Sequence, residues 1–273
     1  MRAAHQVLTR LLVRMQHDPA LVARVYEEPE AVLSPLGLGP RERAMLLAID
    51  RRAFLHDPLR ARRLLRTLME DFKASSAIAL DQTRRLAFLG GFFGSVPFHE
   101  AVQLDRPLGV AFADFLMGAG LEVPVLAPVV RLELALWRAR QELAAAGGAD
   151  FRAPPMPASG LSRVARAPGV ATLHAAPDAL AAVQAVEQYL FEVSLVPAIA
   201  LADDAPRLVL PAPTGRPQLA LGVVPTASGV QLVELEPALF EAIDTLMDGP
   251  RAVDAIGRAV AEALVADEVL VPV

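Results

Sequence analysis

Apolar residues recur every three to four positions through the first half of the chain, and a period-2 alternation appears from Leu219 onward. Residues 4–16 place Val7, Leu8, Leu11, Leu12 and Met15 on one helical face, with Arg10 and Arg14 opposite. His17-Asp18-Pro19 follows. Asp18 can accept a hydrogen bond from a free first-turn N–H, and Pro19 suits the first helical position, where its missing N–H costs nothing. From there to Asp50, Pro29, Pro35-Leu-Gly37 and Gly39-Pro40 punctuate three short helices. Asp57-Pro58 opens another, with Leu64, Leu65, Leu68, Met69 and Phe72 inward and Arg60, Arg62, Arg63 and Arg66 as a basic stripe. A further helix is predicted over 82–93, ending at Gly90-Gly91 or shortly after. A long one is predicted over 124–146, carrying Leu132, Leu136, Trp137 and Leu143. Gly147-Gly148 to Ser159-Gly160, with Pro154, Pro155 and Pro157 between, reads as a linker.

After the linker, LSRVARA and GVATLHAA read as short strands. Pro177-Asp178 opens a helix through Phe191, and PRLVLPAPTGRP reads as a proline-interrupted edge strand. Leu219, Leu221 and Val223 alternate with smaller residues, as in a strand with one buried face, and a turn over 225–229 follows. Val230 and Leu232 begin the same alternation, but Val233 breaks it, so this strand is buried on both sides or bulged. Leu239, Ile243, Leu246 and Met247 then fall at helical spacing behind Pro237, and Gly249-Pro250 stops them. Val253, Ile256, Val260 and Leu264 mark one face of a second helix. The expected fold class is α+β. An all-helical domain (1–146) and a linker (147–160) precede a small winged-helix-like α/β domain of peptide-recognition type (161–273).

Such a module binds either nucleic acid or an extended peptide, and charge discriminates between them. From Gly147 onward there are 7 Arg and no Lys against 15 Asp plus Glu, a balance of −8, whereas the residues before it carry 19 basic and 16 acidic groups. Phosphate neutralisation supplies most of the affinity of a DNA reader, which needs a cationic face. The second candidate helix offers Arg251 and Arg258 but also Asp254 and Glu262. A DNA-binding winged-helix regulator is therefore the alternative, and no nucleic-acid partner is expected. Strand addition by a peptide needs no such field. The absence of cysteine excludes disulfides and thiolate metal sites and fits a reducing compartment. Arg2, Arg10 and Arg14 interrupt the N-terminal apolar residues, so no secretory signal is read there. No apolar run approaches the roughly 20 residues of a membrane span. A cytoplasmic chain without a membrane partner is expected.

Candidate chemistry is sparse. No two of His5, His17, His56, His99 and His174 are spaced as convergent metal ligands, and no nucleophile elbow, dinucleotide or P-loop motif occurs. The expectation is no catalytic residues, no metal and no cofactor in this chain. His56, His99 or His174 would be the ligand or base of an enzymatic alternative. Phe92, Phe93, Phe98, Phe112 and Phe115 either fill the helical core or leave Phe92, Phe93 or Phe98 exposed as a partner anchor. The arginine stripe, Arg62 and Arg66 included, is either a solvated face or a surface for an acidic partner.

Three stretches carry a family likeness: DPALVARVYEEPEAVLSPLGLGPRERAMLLAID, RRLAFLGGFFGSVPFHEAV and VQLVELEPALFEAIDTLMDGPRAVDAI. With them the chain resembles the partner subunits of multinuclear non-haem iron oxygenases that modify ribosomally made peptides, as in methanobactin and 3-thiaglutamate pathways. The part before Ile49 is also similar to the small helical alpha subunit of ring-opening dioxygenases, another accessory role. The resemblance implies a non-catalytic subunit that forms a heterodimer with a barrel-shaped oxygenase, which holds the iron, and that grips the leader of a precursor peptide. Carried onto this chain, the gripping strand is Val230, Gln231, Leu232, Val233 and Glu234. The facing helix spans 251–264, with Arg251, Val253, Ile256 and Val260 lining the groove.

Overall fold

The computed structural model describes residues 2–55, 57, 59–148, 151, 154, 160–195, 207–226 and 229–273. They fold as two compact units, Met1–Leu121 and Glu122–Val273. Helices make up the first, and helices with two small antiparallel sheets make up the second, so the protein is α+β.

In the first unit, α1 (Arg2–Met15) is followed by α2 (Pro19–Glu27), whose first turn is held as its sequence predicts: the Asp18 carboxylate accepts the Leu21 N–H at 2.9 Å, and Pro19 follows the cap. Three short helices follow: α3 (Pro29–Leu33), α4 (Pro40–Leu47) and α5 (Arg52–Leu55). Leu11, Met15, Val22, Val25, Leu33 and Leu46 close a first core among them, and Tyr26 donates to the Ile49 carbonyl at 2.6 Å. Next come α6 (Arg60–Asp71), α7 (Lys73–Thr83), α8 (Leu86–Gly90), α9 (Val96–Gln103) and α10 (Leu108–Met117). The helix expected over 82–93 does not run through that range. Arg84, at φ +54°, ends α7, and the chain restarts at Leu86. A residue with φ > 0 cannot continue a right-handed helix. Phe92 is the hub of the second half of this unit, its ring 5.2–5.7 Å from those of Phe93, Phe98, Phe112 and Phe115.

The second unit begins earlier than the glycine-proline signal predicts. The long helix α11 (Leu126–Ala145) belongs to it and not to a helical domain ending at 146. A Gly/Pro-rich stretch marks where regular structure stops, not which neighbour a helix packs on. Of the expected linker, residues 149–150, 152–153 and 155–159 lie outside the described residues, while Phe151 packs on the core of this unit. Strands β1 (Arg163–Arg166) and β2 (Ala171–Ala175) lie within the two expected segments, and helix α12 (Pro177–Leu195) starts at the Pro-Asp signal and runs past the expected end at Phe191. No strand forms over 207–217, where an edge is expected. Leu208 is buried there, and Thr214 is tied to the Asp178 carboxylate by its N–H and its hydroxyl. Strands β3 (Leu219–Thr226) and β4 (Gly229–Glu234) form the hairpin, followed by α13 (Pro237–Asp244), β5 (Arg251–Ala252), α14 (Arg258–Ala266) and β6 (Leu270–Pro272).

One sheet has the order β5-β1-β6 and the other β2-β3-β4, all neighbours antiparallel. The second sheet is covered on both faces. Leu173, Ala175, Leu221 and Leu232 meet Leu132 of α11 and Leu180 and Val183 of α12. Ala220, Val233 and Leu235 turn the other way, into a core with Phe240 of α13, Val253, Leu264 and Leu270. That is why Val233 breaks the alternation. The register of β3 on β4 runs without interruption, so the strand is buried on two sides and carries no bulge. Among the described residues, no helix is long and apolar enough to cross a membrane.

Where α11 approaches the β1–β2 turn, Arg166 makes a two-armed bond to Glu142 and also donates to the Val170 carbonyl. Gly169 allows this approach. It sits at φ +83°, and a Cβ there would lie 3.1 Å from Leu143 Cβ and 3.2 Å from the Ala139 carbonyl oxygen. Gly169→Ala combines a positive-φ penalty with a clash against helix backbone. Urea unfolding should show a loss of about 1–3 kcal/mol. Phe92→Ala should cost about 3–5 kcal/mol in the same assay, since a ring with no exposure in an aromatic cluster leaves a cavity.

Candidate functional site

The β2-β3-β4 sheet ends in β4, and the direction of its free groups follows from one bond. The Leu235 N–H donates to the Ala220 carbonyl at 2.9 Å, in the same register as the strand pairs that precede it. Hydrogen-bonded and non-bonded pairs alternate in an antiparallel ladder. Val233 opposite Gly222 and Gln231 opposite Val224 are therefore bonded pairs, while Glu234, Leu232 and Val230 sit in non-bonded pairs with Leu221, Val223 and Pro225. The N–H and C=O groups of Val230, Leu232 and Glu234 point away from β3. Among the described residues no strand pairs with that side. Pro225 fits this scheme, for it occupies a pair in which β4 asks nothing of its nitrogen.

The side chains of this strand are divided between two jobs. Leu232 and Val233 are half-buried on opposite faces, whereas Gln231 and Glu234 are exposed. Gly222 permits the crowding behind them. A Cβ there would come within 2.9 Å of Leu235 Cδ1 and 3.3 Å of Val233 Cγ2.

The wall beside the edge differs from the expected one. Residues 251–264 are not a continuous helix: Arg251 lies in β5 opposite Val164, residues Val253–Ala255 form a 3-10 turn, and Gly257 at φ +86° precedes α14. Val253 is 1 % exposed in the core, and Ile256 packs on that core. Arg251 donates to the Thr245 carbonyl, and Val260 is 40 % exposed. None of the four is positioned by a helix facing β4. The helix packed beside β4 is α11, which also lies over β2 and β3. Its 3.6 periodicity reveals an apolar face, but periodicity does not say which sheet that face will meet.

In the first unit, Phe92, Phe93 and Phe98 are 0–6 % exposed, so they fill the core and are not surface anchors. Arg62 and Arg66 are exposed, and Arg66 pairs with Glu70 at 2.8 Å. His174 lies tilted against Phe240 with ring centroids 4.4 Å apart in the second unit, His99 is buried beside Phe98, and His56 lies outside the described residues. No group of three or more metal-ligating side chains occurs among the described residues.

His17, missed as more than part of a helix start, lies parallel to Phe93 at 5.3 Å and edge-on to Phe98 at 5.2 Å. Its Nδ1 and that of His99 are buried without a hydrogen-bond partner. Burial lowers both pKa values, reinforced by Arg60 for His17 and by Arg10 and Arg14 for His99. No family model, curated protein or solved structure matches the chain.

Both imidazoles are harder to protonate in the folded protein than in the unfolded chain, whose histidines titrate near about 6.5. Their contribution to stability is complete above that value and is lost as pH falls through it toward the lowered folded pKa. The midpoint of thermal unfolding should therefore drop between pH 7.5 and 5.5. In His17→Phe, which keeps the ring stack and removes one titrating group, the drop should be smaller. An identical slope in the two proteins would contradict this assignment.

Proposed function

We propose that the chain is a non-catalytic recruiting subunit. It docks on a barrel-fold multinuclear iron oxygenase as a heterodimer and binds the leader of a ribosomally made precursor peptide by strand addition along β4. One observation carries this reading: the outward-facing backbone groups of Val230, Leu232 and Glu234 form a six-residue edge beside α11, with both sheet faces already packed. An added strand gains alternate N–H···O=C bonds from such an edge, and side-chain pockets set its register. The second unit, a three-stranded sheet followed by the small helices α13 and α14, is read as a divergent winged-helix-like module in which α11 supplies the wall. The surplus of acidic groups after Gly147 favours a peptide over DNA. The iron belongs to the oxygenase. In the first unit, the exposed stripe of α6 that includes Arg66 is the surface offered to an acidic face of that partner.

The edge geometry makes Leu232→Pro a selective test. Proline there removes an N–H that points away from β3, so the hairpin keeps its ladder while an incoming strand loses a donor. Calorimetric titration with the peptide encoded beside the partner oxygenase should show at least a tenfold loss of affinity with the far-UV circular dichroism unchanged. Gln231→Pro, which removes an N–H bonded to β3, should instead destabilise the fold. Equal peptide affinity in folded Leu232→Pro and parent would place the peptide elsewhere.

A further inference from the structure

We propose that a cleft in the first unit, separate from the β4 edge, is a binding site for a small apolar carboxylate. The cleft is open to solvent on one side and offers about 820 Å³, within the range of small-molecule sites, and Leu59, Leu65, Ala87 and Phe93 contribute apolar walls.

Its floor is built from glycine where the fold does not ask for glycine. Gly90 (φ −61°, ψ −25°) and Gly91 (φ −59°, ψ −18°) are in ordinary right-handed helical conformation. A Cβ added to either would meet nothing within 4 Å. Neither positive φ nor close packing explains them, and glycine is a poor helix former. What the missing side chains leave is open space, and both residues line the cleft.

The charges at the cleft select an anion. Its lining includes Arg14, Arg62 and the single carboxylate of Asp18. Asp18 is already committed: it caps α2 through the Leu21 N–H and lies 3.7 Å from Arg14 Nε. Arg62 has no ion-pair partner among the described residues, in contrast to Arg60, Arg63 and Arg66 on the same helix. The Arg14 guanidinium hangs over the floor, with Cζ 3.7 Å from the position a Cβ of Gly94 would take. His17, stacked on Phe93, completes the wall with an aromatic plane rather than a charge. A carboxylate head at the guanidiniums with a hydrocarbon body over Gly90-Gly91 satisfies both halves of the site.

The test uses the full chain and decanoate, with decanol as the uncharged analogue, by isothermal titration calorimetry below their aggregation concentrations. Decanoate should bind at one site and decanol at least tenfold more weakly. Gly91→Leu, which places a side chain in the vacant floor, and Arg62→Glu, which reverses the charge at the mouth, should each weaken decanoate at least tenfold. Gly91→Leu should unfold at the parent temperature or above, which separates lost binding from lost fold. Should Gly91→Leu not fold, Arg62→Glu, at an exposed helical position, carries the test alone. The proposal is overturned by absence of decanoate binding, by equal affinity for decanol, by several weak sites indifferent to both substitutions, or by unchanged affinity in folded Gly91→Leu. None of these outcomes bears on the β4 edge, which lies in the other unit.

Discussion

The β3–β4 hairpin is clamped on both faces, and the rest of the second unit is arranged around that fact. Three consecutive residues of β3, Leu221, Gly222 and Val223, are buried, which a strand exposed on one side could not achieve. Gly222 makes the arrangement possible by giving Leu235 the space that a Cβ would take. With α11 and α12 on one side and α13 with the β5-β1-β6 sheet on the other, the side of the hairpin that no strand pairs with among the described residues is the outer side of β4. A bare edge is ordinarily an aggregation hazard, and proteins shorten, charge or cover theirs. Here the strand runs for six residues, and Glu234 is its one charged side chain.

The first unit is organised differently. Its centre is the ring cluster about Phe92, and the cleft is where that cluster meets the surface: Phe93 faces Phe92 on one side and His17 on the other. The same short stretch, GGFFG, thus supplies buried rings and an open glycine floor. Rings and glycines alternate between filling and emptying space, so core packing and cleft shape are set by neighbouring residues. His17, its pKa lowered by burial, belongs to this arrangement as an aromatic wall, with its Nδ1 buried and without a hydrogen-bond partner.

Much of this was legible residue by residue. Asp18-Pro19 as a helix start, Pro177-Asp178 as another, the two strands of the hairpin and Val233 as the point where one-faced alternation fails all rest on local rules: a cap, a fixed φ, a period of two or 3.6. What local rules could not supply is partnership. Arg84 adopts a positive φ that its residue type does not advertise, so the helix expected over 82–93 is broken near its start, and α7 over 73–83 has no counterpart in the expected elements. Residues 251–264 have helical spacing, yet Arg251 is drawn into a strand by pairing with Val164 nearly ninety positions earlier in the chain, and Val253 follows it into the core. The 207–217 stretch has strand-like residues but finds a carboxylate at Asp178 and not a neighbouring strand.

The amino-acid sequence by itself determined the α+β class, the helix starts at Asp18-Pro19 and Pro177-Asp178, the strands of the hairpin and the acidic balance of the C-terminal half, because each depends on a residue and its near neighbours. Only the tertiary structure decided that α11 belongs with the sheet, that it rather than 251–264 stands beside β4, that Phe92, Phe93 and Phe98 are core, and that Gly90 and Gly91 floor a cleft. Those outcomes depend on which apolar faces meet across large separations in the chain. An apolar face carries its own period but no address.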